Sequence, residues 1–297
     1  MNTSLEFSLA MLQERAKMLA QVRAFFASRG VLEVDTPILS KAAPIATQIE
    51  VMAVHFLNGE KGFLHTSPEY AMKRLLAEHP IDIYQLSHVF REGEISAQHN
   101  PEFTMVEWYR MGYDLEMLLK ETIELIELFI GPHEITVYSY HDLFQKYCGI
   151  DPFTVTAKEG WSADTWLDYK MSFEIQPQMK GLMVVNHFPA SQAALARLKQ
   201  EGPHLVAERF EIYFNGLELA NGFHELTDSI EQRARFENDL KERREVGKPD
   251  LPIDEEFLKA LEKGFPACSG VAVGFDRLLM LQQNTSSLAE VVPFTWK

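Results

Sequence analysis

Two segments that lie far apart in the chain constrain its fold more than any other feature. The first runs from Phe90 to Phe103 and contains Arg91. The second runs from Gly270 to Arg277. Each carries an arginine, whose guanidinium keeps its charge, among glycines or aromatic residues. A fold that brings the two arginines together would present two fixed cations to the phosphates of a ligand, so the pattern predicts a nucleotide clamp.

The charge balance argues against a general affinity for nucleic acid. The 297 residues include 28 Lys and Arg against 43 Asp and Glu, a net charge of -15, so an extended polyanion would be repelled. The basic residues between 233 and 244 alternate with acids, which is typical of a solvated helix and not of a basic patch. Because 46% of the residues are hydrophobic, the chain can bury a large core.

The cysteines and the N-terminal residues predict where the protein works. Cys148 and Cys268 are the only cysteines, and their separation fits neither a disulfide framework nor a metal-ligand spacing. The N-terminal residues lack a basic region followed by an apolar run, and no apolar stretch approaches membrane-spanning length. We therefore expect a cytoplasmic protein that does not enter a membrane, with both cysteines as small core residues.

The first forty residues predict a helix followed by a strand. Residues 8–29 carry apolar positions at helical spacing, which indicates a long amphipathic helix. Residues 31–39 alternate like a strand, in which Pro37 suits an edge or an end.

The rest of the pattern predicts an α+β fold. Two hairpins, one around 92–100 and one at Asn215-Gly216, indicate an antiparallel sheet flanked by helices. We expect residues 1–297 to form a single domain, in which 131–181 gives mixed signals and could be a variable insertion. Further helices are predicted over 68–78, 114–130 and 229–245.

The Asn215-Gly216 hairpin predicts a pair of carboxylates on one face. If these two residues form the turn, Glu211 and Glu218 lie diagonally on the same face. Two carboxylates with open positions suit Mg2+ that bridges phosphates, whereas a half-exposed sheet face also often carries acids without a ligand role. The register alone leaves both interpretations open. The predicted pairs are Phe214 with Leu217, Tyr213 with Glu218, and Glu211 with Ala220.

The strand that follows Asn100 and Pro101 predicts a second functional face. Such a face could stack a base and hold a cationic group. From this strand alone, core packing is the favoured interpretation of the aromatic rings of Phe103 and Tyr109. The residues that would share the face are Phe103, Met105, Glu107 and Tyr109.

Taken together, these segments resemble the class II aminoacyl-tRNA synthetases over nearly the whole chain, and most of all the lysyl branch. The resemblance implies the catalytic core of that family, with ATP as a cosubstrate, Mg2+, and a homodimer formed through motif 1. Residues 30–39 resemble motif 1, 90–103 motif 2, and 270–277 motif 3. The stretches that resemble the lysyl branch are HNPEFTM at 99–105, ELANGFHEL at 218–226 and SPEY at 67–70.

The resemblance implies a role for each matching residue. Arg91 and Arg277 would be the catalytic residues. Arg91 would hold the α-phosphate and the substrate carboxylate, Phe103 would stack on adenine, and Arg277 would cover the other side of adenine or reach the γ-phosphate. Because fixed cations and Mg2+ bring two anions together, no acid or base side chain is required. Glu211 and Glu218 would be the metal ligands. The implied ATP-binding residues are Arg91, Glu92, Gly93, His99, Asn100, Phe103, Glu218, Leu219, Gly274 and Arg277. The implied substrate-binding residues, whose acids suit two ammonium groups, are Ser67, Pro68, Glu69, Glu107, Tyr109, Asn221, Phe223, Glu225 and Ala272.

Three departures from the lysyl enzymes point to a free-standing relative. The chain opens at the first helix of the catalytic core, without the anticodon-binding β-barrel, so tRNA is not expected as a partner. Ala272 stands where lysyl enzymes usually have glycine, and one methyl group in a tight site is worth about 1 kcal/mol and can favour a shifted amine. Residues 188–193 and 268–274 resemble relatives that activate (R)-β-lysine with ATP and transfer it to a lysine of elongation factor P. The resemblance implies the same reaction and the same protein acceptor for this chain.

One mismatch and two other functions stay open at this point. Motif 2 usually has a glutamate where Gly93 stands, so Glu94 or a backbone group could supply the contact to adenine. An enzyme of this kind could instead activate lysine itself for a tRNA or a small-molecule acceptor. A catalytically silent regulator could also keep the fold, although the intact arginines and glutamates of the site weigh against it.

Overall fold

The computed structural model describes residues 7–156 and 160–296, which form helices around a large mixed sheet and a small second sheet. The predicted α+β class is confirmed. The α-helices are α1 (Leu9–Ala27), α2 (Glu69–Glu78), α3 (Leu115–Ile130), α4 (Tyr140–Cys148), α5 (Ala163–Lys170), α6 (Ser229–Glu245), α7 (Glu255–Glu262) and α8 (Phe275–Gln282). The strands are β1 (Leu32–Glu33), β2 (Leu39–Ser40), β3 (Ala53–His55), β4 (Lys61–Leu64), β5 (Ile83–Phe90), β6 (Glu102–Met111), β7 (Ile135–Ser139), β8 (Leu182–Pro189), β9 (Leu198–Glu201), β10 (His204–Phe214), β11 (Leu217–His224) and β12 (Cys268–Gly274).

The large sheet is antiparallel at its centre and parallel at both ends. Its strand order is β1-β5-β6-β12-β11-β10-β8-β7, and β9 pairs with β10. The pairs from β5 to β8 are antiparallel, as the two hairpins predicted. At the ends, β1 runs parallel to β5 and β7 runs parallel to β8. The small sheet has the order β2-β4-β3.

One face of the central strands carries the main hydrophobic core. Val106 and Trp108 of β6 and Val271 and Val273 of β12 are buried there against residues of α1, α3 and α8. The indole Nε1 of Trp108 donates to Glu121 over 3.0 Å, so its polar atom is also satisfied. Burying each large apolar side chain contributes about 1.5–3 kcal/mol. Because side chains alternate along a strand, the opposite face of β6 and β12 is left for another purpose.

The predicted helices over 8–29, 68–78, 114–130 and 229–245 are confirmed as α1, α2, α3 and α6. Asp114 accepts a hydrogen bond of 2.8 Å from a backbone N–H in the first turn of α3. Gly131 then ends that helix with a φ of 80°. A cap of the Asp114 type contributes about 1 kcal/mol. Each of the helices in the described ranges is too short or too polar to cross a lipid bilayer.

The predicted continuous strand over 31–39 is wrong, because the chain forms β1 and β2 in two different sheets. Between them, Thr36 donates its backbone N–H (3.1 Å) and its hydroxyl (2.9 Å) to the side-chain oxygen of Gln85. Pro37 has no N–H to donate. The backbone therefore leaves its pairing with β5 at this point and joins the small sheet at Leu39.

The Asn215-Gly216 turn is confirmed, but part of the predicted register is wrong. Asn215 and Gly216 have φ of 49° and 81°, as a type I′ turn requires. The two pairs nearest the turn are as predicted. Glu211, however, pairs with Asn221 and not with Ala220, because Leu219 is an extra residue in β11 and forms a bulge. Consecutive Leu219 and Ala220 are both buried in the main core for this reason.

Helix α6 is not solvated on all sides, which corrects the prediction from its charge pattern. Arg243 is completely buried and donates to the carbonyl oxygens of Ala46 (3.1 Å) and Pro249 (3.3 Å). Arg235 donates to the carbonyl oxygen of Ala194 over 2.8 Å. Charge-assisted hydrogen bonds of this kind tie the irregular segments around Ala46 and Ala194 to the helix. Both segments reach the cavity described below.

The described parts of the segment over 131–181, which are 131–156 and 160–181, add to the edge of the large sheet. They supply β7, and α4 and α5 then pack against β8 and β10 around buried Tyr140, Leu143 and Leu167. Both cysteines are free, but only Cys268 is buried as predicted, since Cys148 is half-buried.

Candidate functional site

Several predicted site residues lie directly opposite one another on neighbouring strands and so form rows across the sheet. Because alternate residues share a face, two such rows lie on the face opposite the main core. The first row, which crosses β10, β11, β12 and β6, is Glu211, Asn221, Ala272 and Glu107. The second row, two residues further along, is Arg209, Phe223, Gly270 and Tyr109.

A cavity of about 440 Å3 opens over these rows. Predicted residues that lie from 67 to 277 in the sequence converge on it. Pro68, Glu92 and Gly93 do not line it. The predicted residues that do are Ser67, Glu69, Arg91, His99, Asn100, Phe103, Glu107, Tyr109, Glu211, Glu218, Leu219, Asn221, Phe223, Glu225, Ala272, Gly274 and Arg277.

Arg277 links the start of α8 to both hairpins. Its guanidinium donates to the backbone oxygen of Glu218 over 2.7 Å and contacts Nε2 of His99 at 2.9 Å. Because a guanidinium only donates, Nε2 accepts and the ring proton of His99 is on Nδ1, where it donates to Ser96. Burial and the neighbouring Arg277 lower the pKa of His99, which fits this neutral form.

Arg91 lies on the same cavity wall with part of its donor capacity unused. Its guanidinium carbon is 5.2 Å from the centre of the Phe103 ring, and NH1 is 3.7 Å from a carboxylate oxygen of Glu94. Its buried Nε has no hydrogen-bond partner in the described part of the chain. A buried donor of this kind costs free energy until a ligand accepts from it. In this loop Glu94 lines the cavity, whereas Glu92 and Gly93 do not, so the carboxylate that the loop presents to the cavity is that of Glu94.

Glu211 and Glu218 line the cavity together, on β10 and at the start of β11. Burial, opposed by Arg209 and reinforced by Glu218, raises the pKa of Glu211 to about 7. Its carboxylate accepts hydrogen bonds from the guanidinium of Arg209 and the hydroxyl of Tyr213. Each carboxylate oxygen can accept more than one contact. In the ranges 7–156 and 160–296, no three or more His, Cys, Asp or Glu side chains are grouped as a metal site by themselves.

The far end of the cavity is an acid pocket formed by Glu69, Glu107 and Glu225, with Lys73 beside them. Burial raises the pKa of Glu107 to about 8, and the charge of Glu69 adds to the rise. Burial likewise raises the pKa of Glu225 to about 8, although Lys73 opposes the shift. The hydroxyl of Tyr109 donates to one oxygen of Glu107 over 2.7 Å, while Oε2 of Glu107 is buried and has no hydrogen-bond partner among the residues that the structure describes. Such a pocket gains by binding ammonium groups.

Close packing at Gly270 fixes the wall of the acid pocket. A Cβ added there would lie 2.3 Å from Cε1 of Tyr109 and 2.7 Å from a carboxylate oxygen of Glu225. The Tyr109 ring therefore folds directly over the glycine. Two residues along the strand, Ala272 lies between Asn221 and Glu107 in the first row, and its methyl group is its contribution to that row.

Sequence reasoning missed three charged residues of the site. Arg209 lines the cavity and donates to Glu211, to Asn221 (3.1 Å) and to the backbone of Gln192 (2.7 Å). It lies two residues before Glu211 on the same strand, so strand alternation could have found it. Lys73 lies one helical turn after Glu69, a spacing that could have suggested an ion pair.

Asp276 is the third missed residue, and its role is to hold the start of α8 against β6. It accepts from Arg15 (2.5 Å) and from the backbone N–H of Thr104 (2.7 Å). No local pattern relates Arg15 to a residue this far along the chain.

Comparison with known proteins agrees with this geometry. Residues 2–297 match the sequence profile of the tRNA synthetases class II (D, K and N). A protein of Mannheimia succiniciproducens named elongation factor P-(R)-beta-lysine ligase is 44% identical, over 94% of this chain and 93% of that protein. Proteins of the same name from Edwardsiella ictaluri (44% identical) and Salmonella paratyphi B (42% identical) each match over 97% of this chain and 95% of their own length.

Proposed function

This chain belongs to the class II tRNA synthetases, and from that premise we propose that it activates (R)-β-lysine with ATP and transfers the β-lysyl group to a lysine of elongation factor P. It is an ATP-dependent ligase. The amino acid and the acceptor come from the name of its relatives. The observation that carries the proposal is one cavity lined both by Arg91 and Arg277 and by the acid pocket of Glu69, Glu107 and Glu225. Along β12, Gly274 lies next to Arg277, whereas Gly270 lies next to Glu225.

The first step joins two anions, and the arginines supply the attraction. A carboxylate oxygen of the amino acid attacks the α-phosphorus of ATP, a new O–P bond forms, and pyrophosphate leaves as its bond to the α-phosphorus breaks. Arg91, whose Nε has no hydrogen-bond partner among residues 7–156 and 160–296, would hold the α-phosphate and the attacking carboxylate. Arg277 would face the other side of the nucleotide, and Phe103 would stack on adenine. Electrostatic groups that are already in place act strongly in a cavity that excludes water.

Glu211 and Glu218 would hold Mg2+ against the phosphates. Two carboxylates leave several positions of an octahedral ion for phosphate oxygens and water, which is how proteins usually bind Mg2+ beside nucleotides. When bound, the ion offsets phosphate charge. Arg209 and Tyr213 keep the Glu211 carboxylate in a fixed orientation through their hydrogen bonds to it.

The acid pocket would select a substrate with two ammonium groups. Glu69, Glu107 and Glu225 face the cavity, and Ala272 lies between Asn221 and Glu107. The methyl group of Ala272 takes up space at the centre of the row, which favours an amine displaced from the α-position. A pocket difference of one methyl group is worth about 1–3 kcal/mol of discrimination.

The second step transfers the activated group. The neutral amine of the acceptor lysine attacks the carbonyl carbon of the adenylate, an amide bond forms, AMP leaves and the amine loses a proton. The acceptor is proposed to be a protein and not a tRNA. We also propose a homodimer, since β1 exposes the apolar Leu32 in the region that resembles motif 1 and the preceding helix α1 exposes Leu9. We propose a cytoplasmic location because the two free thiols suit a reducing compartment.

ATP–pyrophosphate exchange with (R)-β-lysine and α-lysine side by side tests the proposal. We expect clear exchange with (R)-β-lysine and weaker exchange with α-lysine. Glu225→Gln should raise the KM for the amino acid, while Glu237→Gln on the exposed side of α6 serves as a control and should not. A preference for α-lysine would support the alternative of a lysine-activating enzyme with another acceptor.

A further inference from the structure

Lys73 lies behind the acid pocket and contacts two of its three carboxylates. Its Nζ is 2.7 Å from Oε1 of Glu69 and 2.5 Å from Oε2 of Glu225. Its side chain is 1% exposed. Glu69 lies on the same helix, α2, whereas Glu225 follows β11, so the ammonium group joins the helix to the end of the sheet.

The surroundings keep Lys73 charged. Burial alone would lower the pKa of Lys73, but the charges of Glu225 and Glu69 raise it above its ordinary value. The rings of Tyr109 and Phe257 lie 5.9 Å from the ammonium group and can attract it further. Other titratable groups near this cluster are the carboxyl of Glu107, the phenols of Tyr109 and Tyr70, and the thiol of Cys268. Burial raises the pKa of each of them.

The net charge of the ionised acid pocket follows from its three carboxylates and the ammonium group of Lys73. With all groups ionised, Glu69, Glu107 and Glu225 contribute three negative charges and Lys73 contributes one positive charge. Two net negative charges remain, and a substrate with two ammonium groups neutralises them. Without Lys73, the buried carboxylate of Glu225 would lose the ammonium group 2.5 Å from it, and removing one partner of a buried ion pair is strongly unfavourable.

We propose that Lys73 is a positioning residue of the amino-acid pocket, which fixes the carboxyl groups of Glu69 and Glu225 in place so that their remaining oxygens bind a diamine. The inference rests on the proposed function, because it concerns the pocket that would take the ammonium groups of β-lysine. Lys73 need not touch the substrate. It differs from a residue that only packs α2 against α7, because its loss should weaken binding of amines and leave ATP binding unchanged.

Binding of 1,5-diaminopentane and the kinetics of ATP–pyrophosphate exchange separate these roles. Calorimetry with the diamine reports on the pocket without any reaction. Lys73→Met removes the ammonium group, Lys73→Gln keeps a hydrogen-bond donor without the charge, and Arg74→Met changes the exposed neighbour on the same helix as a control. Thermal unfolding of each protein shows which variants are folded, and Lys73→Gln decides the question if Lys73→Met does not fold.

We expect both Lys73 variants to bind the diamine about 10- to 100-fold more weakly than the unchanged protein, as when a group that orients a ligand is removed. The KM for (R)-β-lysine should rise by a similar factor while the KM for ATP stays within about twofold. A folded Lys73→Gln protein with unchanged diamine affinity would overturn the inference alone. An unchanged protein that neither binds the diamine nor activates β-lysine would overturn the proposed function as well.

Discussion

Replacing Gly270 by alanine should damage the amino-acid pocket and leave the ATP site intact. The added Cβ would lie 2.3 Å from Cε1 of Tyr109, about 1.1 Å closer than the 3.4 Å at which ordinary contacts begin. Tyr109 is buried, and its hydroxyl is held by Glu107, so the ring cannot move away without loss. The same Cβ would lie 2.7 Å from a carboxylate oxygen of Glu225.

The size of the effect follows from the cost of overpacking. An extra methyl group in a tightly packed site costs about 1–3 kcal/mol. If the pocket must recover its shape to bind the substrate, that free energy appears as a rise in the KM for the amino acid. At 1.4 kcal/mol for each factor of ten, the rise is between about 5-fold and about 150-fold.

The control for Gly270→Ala is Gly222→Ala. A Cβ at Gly222 would lie 2.5 Å from Cζ of Phe210, a comparable clash, but against the main core on the other face of the sheet. Both variants should lose stability in urea, and only Gly270→Ala should raise the KM for β-lysine in pyrophosphate exchange. A folded Gly270→Ala enzyme whose KM for the amino acid is within twofold of the unchanged enzyme would refute the reasoning, and so would an equal rise in the KM for ATP.

Three further predictions concern pH, the nucleotide and the hairpin turn. Because the pKa values of Glu107 and Glu225 are raised to about 8, these carboxyls are protonated below that pH and ionised above it. The kcat/KM for the amino acid should therefore rise with pH through about 8, and a flat profile from about pH 6.5 to 8.5 would contradict the assignment. Arg277→Ala should lower kcat/KM for ATP by about 100-fold or more, since removing one group that stabilises developing charge has costs of this order, and an effect below tenfold would argue against a catalytic role. Gly216→Ala should destabilise the fold by more than 1 kcal/mol in urea unfolding, because its Cβ would lie 2.1 Å from the backbone oxygen of Gln176 at a φ of 81°, and unchanged stability would show that this turn is not under constraint.

Short-range patterns predicted the parts of the fold that depend on local periodicity. Helices α1, α2, α3 and α6 and both hairpins lie where apolar spacing and turn residues placed them. Alternation along β6 put Phe103, Glu107 and Tyr109 on one face, and all three line the cavity. The resemblance of three separate motifs then supplied the long-range information that no local pattern contains.

The errors arose where tertiary contacts override local signals. The bulge at Leu219 shifts the β10–β11 register by one residue, and its signal is the burial of two consecutive side chains, which appears only after folding. The strand over 31–39 divides because Thr36 finds a partner in Gln85 and not in the ladder. Charge patterns mislead in the same way, since Arg243 sits in an apparently solvated helix but is buried by the segment around Ala46.

The most direct test of the central claim is the intact mass of elongation factor P after incubation with this protein, ATP, Mg2+ and (R)-β-lysine. We predict that its mass increases by one β-lysyl group, and that the increase is absent when Arg91→Ala replaces the unchanged enzyme or when the acceptor lysine is changed to arginine. An acceptor whose mass does not change, although the enzyme forms the adenylate in pyrophosphate exchange, would contradict the account.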